Sequence, residues 1–361
     1  MKWYPVFIIA LFLLGTVIPV QAHLLNFEVD IQPGIENDLT QSLSMVNLFR
    51  WIWNGHHYFS PDCSGTFQIE GNIWNGPVAL PSLWQEEQPS GWLGGQWQSG
   101  LNHSWRELLR INEASLKYDW KAWTIAIGRQ RFHWGTAALF RPTDYFDPRA
   151  PLQLIANDSL GSDSISVERY VFENSNLQSV IRWVGNGDPQ EVIRLHTSGI
   201  GFTLTPSFAY MFHTIGLGME VSAVLRYFRV YFEGVDWKAL NGRVFHLEAI
   251  EGGETRIGKI RATLEILQDG LNEALGMWNP LNLPATYVYV LLKKKFLENW
   301  NIGMSVLKSF QGGSWVWSPA VSWAMSSHSS MSLKLQKNFQ VNQGPLSELP
   351  TIFLSDFRVD F

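Results

Sequence analysis

The sequence has little charge, only one cysteine and only one long apolar run. Charged residues make up 16% of its 361 residues, below the roughly 25% of soluble domains. Lysine and arginine together number 27 and aspartate and glutamate 32, which gives a net charge of −5. The missing basic excess argues against a nucleic-acid partner. The lack of repeated apolar runs of about 20 residues argues against a polytopic helical membrane protein.

The residues that would carry common chemistry are also missing. One cysteine, Cys63, cannot form an internal disulfide. No CxxC or HExxH pattern suggests a zinc site, and no GxSxG elbow or phosphate-binding glycine loop is present. We therefore predict no metal, no cofactor and no enzymatic activity. A hydrolase embedded in a membrane barrel stays open as an alternative, because the sequence holds nine histidines and many serines.

The one long apolar run lies at the N-terminus. Lys2 precedes the apolar stretch Phe7–Leu14, and Val20-Gln21-Ala22 carries apolar and small residues where a signal peptidase reads. This pattern predicts a secretory signal over residues 1–22, cleaved after Ala22. The mature chain would then span 23–361 as one domain, and the alternative is an uncleaved anchor helix.

Beyond this run the main signal is an alternation of apolar and polar residues. The candidate strand 255–267 places Leu264 and other aliphatic residues on one face, opposite Arg261 and Glu265. In a strand, alternate side chains point to opposite faces, so such a segment has one apolar and one polar face. The same alternation recurs over 215–225, 314–326 and 329–340, and 18 tryptophans enrich the apolar faces. Charges in mid-strand would not be accepted unpaired in a packed sandwich core, whereas a water-filled barrel accepts them.

The last residues, FLSDFRVDF, form an amphipathic strand that ends in phenylalanine. Phe357, Val359 and Phe361 share one face, and charged residues occupy the other. This pattern resembles the C-terminal signature that bacterial outer-membrane barrels present to the barrel assembly machinery. We predict that these three residues are the assembly signal.

The connections support a barrel. Eighteen candidate strands can be counted, and the long gaps 75–104, 132–164, 268–285 and 341–350 all follow odd-numbered candidates. Short turns follow even-numbered ones, as expected for long loops outside and short turns in the periplasm. The strand pattern is weakest over 190–211, and if one pair of candidates there is merged or dropped, the barrel has 16 strands. The fold predicted is all-β: a transmembrane, antiparallel, up-and-down β-barrel of about 16–18 strands.

A block within 113–148 contains Gly128-Arg129-Gln130, then Trp134-Gly135, then Pro142-Thr143-Asp144 and Asp147-Pro148. It resembles the GRQ…WG…PxD…P block of porin-like bacterial outer-membrane proteins related to alginate-export-type barrels. The resemblance covers about residues 105–185 and implies an outer-membrane barrel, without naming its cargo.

Apolar residues occupy odd-numbered positions up to Ile127 and even-numbered positions after Gly128. This change of phase predicts a β-bulge near Gly128. The long segment 132–164 that follows either folds into the barrel and narrows it or remains a surface loop. The charged residues that we predict to line the pore or its constriction are Arg129, Arg131, Arg141, Asp144, Lys259, Arg261, Glu265 and Glu248. The charges that the alternation places inward, Glu220 and Glu233 among them, are seven of each sign. This balance predicts either weak ion selectivity or opposite charges that face each other across the pore.

These features together predict an outer-membrane channel, or porin, for passive passage of small polar solutes. The alternatives are a transporter specific for a hydrophobic compound or a polysaccharide, the barrel hydrolase above, and a structural barrel with a filled lumen. The expected partners are outer-membrane lipid and lipopolysaccharide, the barrel assembly machinery and small solutes. A homo-oligomer is left open.

Deleting Phe361 should lower the amount of inserted protein, because the terminal aromatic face would be incomplete. The measurement is an immunoblot of the heat-modifiable band in outer-membrane fractions. Asp356→Asn, on the opposite face of the same strand, should insert normally. An unchanged band after the deletion would count against the predicted signal.

Overall fold

The computed structural model describes residues 24–37, 43–75, 96–100, 105–146, 161–183, 189–240, 245–269, 285–310, 313–339 and 351–360. The predicted signal at 1–22 and the terminal Phe361 lie outside these residues. Within these ranges, no helix is long and apolar enough to cross a membrane.

The described part of the chain folds entirely as strands and their connections. In chain order the strands are β1 (Leu24–Asn37), β2 (Leu43–Ser60), β3 (Cys63–Asn75), β4 (Gln96–Gly100), β5 (Trp105–Trp120), β6 (Trp123–Gln130), β7 (Ser162–Phe172), β8 (Ser175–Arg182), β9 (Gln190–Gly199), β10 (Phe202–Met211), β11 (Thr214–Leu225), β12 (Phe228–Ala239), β13 (Phe245–Ile257), β14 (Ile260–Asp269), β15 (Ala285–Leu297), β16 (Trp300–Ser309), β17 (Trp315–Ala324), β18 (Ser329–Phe339) and β19 (Thr351–Asp360).

The strands close into a ring. Apart from β4, each strand pairs antiparallel with its neighbours along the chain, with β3 passing directly to β5. The first strand pairs with the last, with Glu28 opposite Asp360. Eighteen of the described strands therefore form an up-and-down barrel without a free edge, and the predicted fold class is confirmed.

Strand β4 is the one element that the sequence pattern did not indicate. It pairs with β5 from Gln96 opposite Arg110 to Gly100 opposite Arg106. The next strand in the ring, β6, pairs with β5 only from Ala114 to Trp120. The short β4 therefore pairs with the stretch of β5 that extends beyond β6.

All the connections at one end of the barrel are short, whereas the other end has connections of very different lengths, from the two-residue turn 212–213 to the segments predicted as long loops. Two-residue turns follow β2, β5, β7, β9, β11, β13 and β15 at the end with short connections. The first residues of β1 and the last residues of β19 lie at the same end. Lys121 and Arg226 in these turns have φ of 54° and 51°, the left-handed backbone that suits the twist of tight hairpins. The segments predicted as long loops all join strands at the opposite end.

The two faces of the wall differ as predicted. On β14, Leu264 is 51% exposed, whereas Thr263 and Glu265 are buried. On β11, Leu217 is exposed and Glu220 is buried. Exposed apolar side chains on one face and buried polar ones on the other are typical of a wall between lipid and a lumen.

Two local predictions were wrong. Gly128 pairs one-to-one with Ser115 and Ser164, so no bulge lies there. Its φ is instead 121°, and a Cβ would stand 2.3 Å from the carbonyl oxygen of Ala114, so only glycine fits. The offset in the ladder lies in β5, at Asn112. The strand predicted over 255–267 is also divided, because residues 258–259 form the turn between β13 and β14.

The wall orientation makes a direct prediction for β14. A charge at the lipid-facing midplane of a barrel costs roughly 2–4 kcal/mol, so Leu264→Arg should impair folding into bilayers. Arg261→Leu, on the lumen side of the same strand, should fold and alter conductance. Heat-modifiable mobility after refolding into vesicles measures the first effect. The opposite ranking of the two variants would overturn the face assignment.

Candidate functional site

The chain does not continue along the wall after β6. Residues 131–146, which we call the strap, lie against the inward faces of strands on the far side of the barrel. Phe132, Trp134, Tyr145 and Phe146 of the strap are each less than a tenth exposed. The strap therefore crosses the lumen.

Glu233 on β12 holds the middle of the strap. Its Oε1 accepts the backbone N–H of Thr136 and the backbone N–H of Ala137, the latter at 2.5 Å. The same oxygen accepts the Thr136 hydroxyl at 3.0 Å, and Oε2 accepts the Thr143 hydroxyl at 3.1 Å. One fully buried carboxylate thus ties two separate parts of the strap to the wall.

Two further wall carboxylates continue this pattern on either side. Glu265 on β14 accepts the N–H of Ala138 at 2.6 Å and the N–H of Leu139 at 2.8 Å. Glu220 on β11 accepts the N–H of Gly135. Five consecutive backbone donors, from 135 to 139, are therefore satisfied by three glutamates on neighbouring parts of the wall.

The Trp134-Gly135 pair of the sequence block has a structural reason. Gly135 has φ of 85°, a conformation that side chains with a Cβ rarely adopt. A Cβ there would lie 2.6 Å from Oε2 of Glu233. Glycine thus lets the strap backbone come close to the carboxylate.

Apolar packing supports these hydrogen bonds. One cluster joins the strap's Ala137, Leu139 and Phe140 to buried wall residues, namely Tyr231, Ile250, Leu267, Tyr287, Leu307 and Val316. A second joins aromatic strap residues to another part of the wall, namely Phe132, Trp134, Tyr145 and Phe146 to Val180, Val192, Ala209, Met211, Val235 and Trp237.

Two wall arginines contact aromatic rings of the strap. The Arg194 guanidinium lies 4.5 Å from the centre of the Trp134 ring and 3.2 Å from the Glu220 carboxylate. Arg182 lies 5.3 Å from the Phe146 ring and donates to the Phe146 carbonyl oxygen at 3.2 Å. Such cation–π contacts are strongest where water is excluded.

A second buried polar cluster centres on Glu70 of β3. Arg50 donates to one carboxylate oxygen at 2.8 Å, and Arg110 to the other at 2.7 Å and 2.9 Å. Asn72 and Asn112 donate to the same carboxylate at 2.9 Å and 2.6 Å. The cluster crosslinks the inner faces of β2, β3 and β5.

The predicted pore residues near the GRQ block are mostly paired. Arg129 is buried and contacts Asp163 at 3.1 Å, which joins β6 to β7. Arg131 donates to Glu113 at 3.1 Å, with its side chain 24% exposed. Arg129 therefore serves the wall, whereas Arg131 lies at the start of the strap and remains accessible.

The structure brings some of the other predicted residues together. Arg141 lies in the strap and donates to the Ala137 carbonyl oxygen at 3.0 Å. Asp144 is buried in the strap and lies within electrostatic range of Arg194. Glu265, as described, binds the strap.

Others lie apart from it. Lys259 is in the turn after β13, and Arg261 pairs with Glu254 at 2.7 Å near the same end of the barrel. Glu248 is half-buried on β13, opposite Val235. Of the predicted assembly residues, Phe357 is exposed and Val359 is half-buried, while Phe361 lies outside the described residues.

Sequence reasoning placed Glu233 inward but missed its role, and it missed Glu70 and Arg194 entirely. The alternation on β12 indicates the face of Glu233. Nothing local indicates its partner, which lies 97 residues away in the sequence. In the part of the chain that the structure describes, no cluster of three or more histidine, cysteine or acidic residues could hold a metal.

No family model matches the chain, and no curated protein matches it. Solved structures match its fold. OccAB3 of Acinetobacter baumannii has a TM-score of 0.63 at 8% identity, over 94% of this chain and 99% of that one. OccK2 (OpdF) of Pseudomonas aeruginosa, solved with glucuronate, has a TM-score of 0.63 at 8% identity, over 95% and 98%. OpdK of Pseudomonas aeruginosa, solved with vanillate, has a TM-score of 0.59 at 9% identity, over 95% and 98%.

These structures are outer-membrane porins of the Occ/Opd group. At such low identity the likeness establishes the fold, so this chain has a porin-like barrel fold. The coarser part of the resemblance inferred from the sequence is thereby confirmed.

Glu70→Gln should destabilise the barrel, because Arg50 and Arg110 would lose the buried carboxylate that they share. Removing one partner of a buried ion pair costs about 3–5 kcal/mol. Urea unfolding of refolded protein in vesicles measures the loss. Glu113→Gln, whose partner Arg131 is partly exposed, is the matched control and should cost less. Equal losses of unfolding free energy in the two variants would show that burial of the Glu70 cluster adds nothing to stability.

Proposed function

We propose that the protein is an outer-membrane channel through which small polar solutes pass passively. The observation that carries this proposal is a closed barrel with an apolar outer face and a strap across its lumen. Charged side chains on an inner wall keep water in a barrel of this size. The channel needs no catalytic residue and no cofactor.

In this proposal the strap forms the constriction. Arg131 begins it, Arg141 and Asp144 lie along it, and Glu265 fixes it to the wall. Arg129, which the sequence also placed at the constriction, would act by holding β6 against β7. Lys259, Arg261 and Glu248 would line the lumen away from the narrowest part.

A preference for small organic anions is a second, narrower proposal. Arginines recur along one side of the barrel, from β2 to β9, namely Arg50, Arg110, Arg129, Arg131, Arg182 and Arg194. Guanidinium groups match the geometry of carboxylates. OccK2 and OpdK were solved with glucuronate and vanillate, and both of these ligands carry a carboxylate.

The other functions inferred from the sequence have less support. The relation to alginate-export-type barrels rests on the GRQ block alone, and a polysaccharide or a hydrophobic compound would need a continuous track of side chains through the lumen. A filled structural barrel would show no conductance. We further propose export by the 1–22 signal, insertion by the barrel assembly machinery, and contact with outer-membrane lipid and lipopolysaccharide. A homo-oligomer stays a hypothesis.

Single-channel recording in planar bilayers tests the channel function, and reversal potentials in a salt gradient test the constriction. Arg131→Gln should shift selectivity toward cations, because it removes an accessible positive charge at the strap. Arg261→Gln removes one lumen cation near the other end and should shift selectivity less. Equal shifts would move the constriction away from the strap, and absence of conductance would refute the channel.

Solute uptake into liposomes tests the second proposal. Glucuronate should enter faster than glucosamine, a cation of similar size, and Arg131→Gln should reduce that difference. Equal rates for the two sugars would leave a general channel without an anion preference.

A further inference from the structure

The bonds between the strap and the wall depend on charge in a specific way. An ionised carboxylate only accepts hydrogen bonds, whereas a protonated one carries an O–H donor on one oxygen. Both oxygens of Glu233 accept from the strap, at Thr136, Ala137 and Thr143. A proton on Glu233 would therefore turn these charge-assisted hydrogen bonds into neutral ones, which are roughly half as strong.

Glu265 is in the same position. One of its oxygens accepts the N–H of Ala138 and the hydroxyl of Tyr231, and the other accepts the N–H of Leu139. A proton on Glu265 would turn these charge-assisted hydrogen bonds into neutral ones, which are roughly half as strong. Burial makes the weakening costly, because water cannot replace the strap as the partner.

The three wall carboxylates also crowd one another. Glu220 lies directly opposite Glu233 across β11 and β12, and Glu233 acts electrostatically on Glu265. Like charges in directly opposed cross-strand positions are destabilising. Arg194 balances Glu220 at 3.2 Å. The hydrogen bonds to Glu233 and Glu265 come from neutral donors, namely backbone N–H groups and hydroxyls.

The surrounding titratable and charged groups come from six elements. They are Arg194 on β9, Arg229 and Tyr231 on β12, Glu248 and Glu254 on β13, Tyr289 on β15, and Arg141, Asp144 and Tyr145 on the strap, besides Glu220 itself on β11. The cations in this set lie on the Glu220 side or on the strap itself. Protonation relieves repulsion among the glutamates at the same time as it weakens their hydrogen bonds to the strap.

We propose that the strap is a latch that acid releases: protonation of Glu233 and Glu265 frees residues 136–139 from the wall and widens the channel. This inference deepens the proposed function by naming its regulation, and it rests on that function. The latch opens because neutral carboxyl groups are weaker acceptors than carboxylates.

Conductance against pH tests the latch. Glutamate side chains titrate near pH 4.3 in peptides, so wild-type conductance should at least double between about pH 7 and about pH 4. The double variant Glu233→Gln/Glu265→Gln should show the high conductance already at about pH 7 and lose the pH response. A glutamine offers one acceptor and one NH₂ donor at a site where every neighbour donates.

Glu254→Gln is the matched control. It removes a carboxylate from the same side of the lumen, but its partner is Arg261 near the turns and not the strap. The control should keep the wild-type pH response. A flat wild-type profile, or the same pH response in the double variant and the wild type, would overturn the latch.

A second readout does not depend on conduction. Ala137 belongs to the strap and is fully buried against the wall, so Ala137→Cys in a Cys63→Ser background reports whether the strap has left the wall. The reagent 4,4′-dithiodipyridine reacts with thiols at acid pH. Labelling should be several times faster at about pH 4 than at about pH 7, and fast at both in the double Gln variant. The rate at which Cys63 is labelled in the wild-type protein at each pH gives the reagent's own pH dependence.

The two readouts separate the two proposals. Labelling that responds to pH in a barrel that never conducts would refute the channel and keep the latch. Conductance with labelling that stays slow in acid and in the double variant would keep the channel and refute the latch. Heat-modifiable mobility of each variant confirms that the barrel has folded before either measurement.

Discussion

The binding of backbone amides by wall carboxylates is the interaction on which the interior depends. A segment that leaves a sheet gives up its ladder partners, and buried N–H groups need others. Glu220, Glu233 and Glu265 supply acceptors for five consecutive donors of the strap. Because carboxylates accept more strongly than neutral groups, a strap without regular secondary structure can be held in a defined place.

The barrel wall could be predicted because its information is local. Period-two alternation decides which face each side chain takes, so Leu264 and Glu265 were placed correctly from the sequence. The strap could not be predicted in this way, since its partners lie about a hundred residues further along the chain. Strand β4 was missed for a related reason: five residues reading QWQSG pair along one edge of β5 and need no long alternating pattern.

The change of apolar phase at Gly128 reflects a real feature of the backbone, but its interpretation as a β-bulge was wrong. The change of apolar phase was read as an extra residue in the ladder, yet the pairing continues on both sides. The backbone turns through the positive φ of Gly128 instead. Soon after, Gln130 bonds back to the backbone and hydroxyl of Ser164. The block thus encodes where the chain leaves the wall, which a pairing pattern alone does not reveal.

The inward charges predicted from the sequence are equal in number for the two signs, but positive and negative charges lie on different sides of the lumen. On one side, the guanidinium groups of Arg50 and Arg110 gather around Glu70 on the inner wall. On the other, Glu233 and Glu265 are bound by backbone amides and hydroxyls, which bring no positive charge to them. Opposite charges on facing walls produce a field across the lumen, which orders water and disfavours apolar solutes. Protonation of the two strap glutamates would remove the negative side of that field, so an acid-opened channel would be not only wider but also more strongly positive inside.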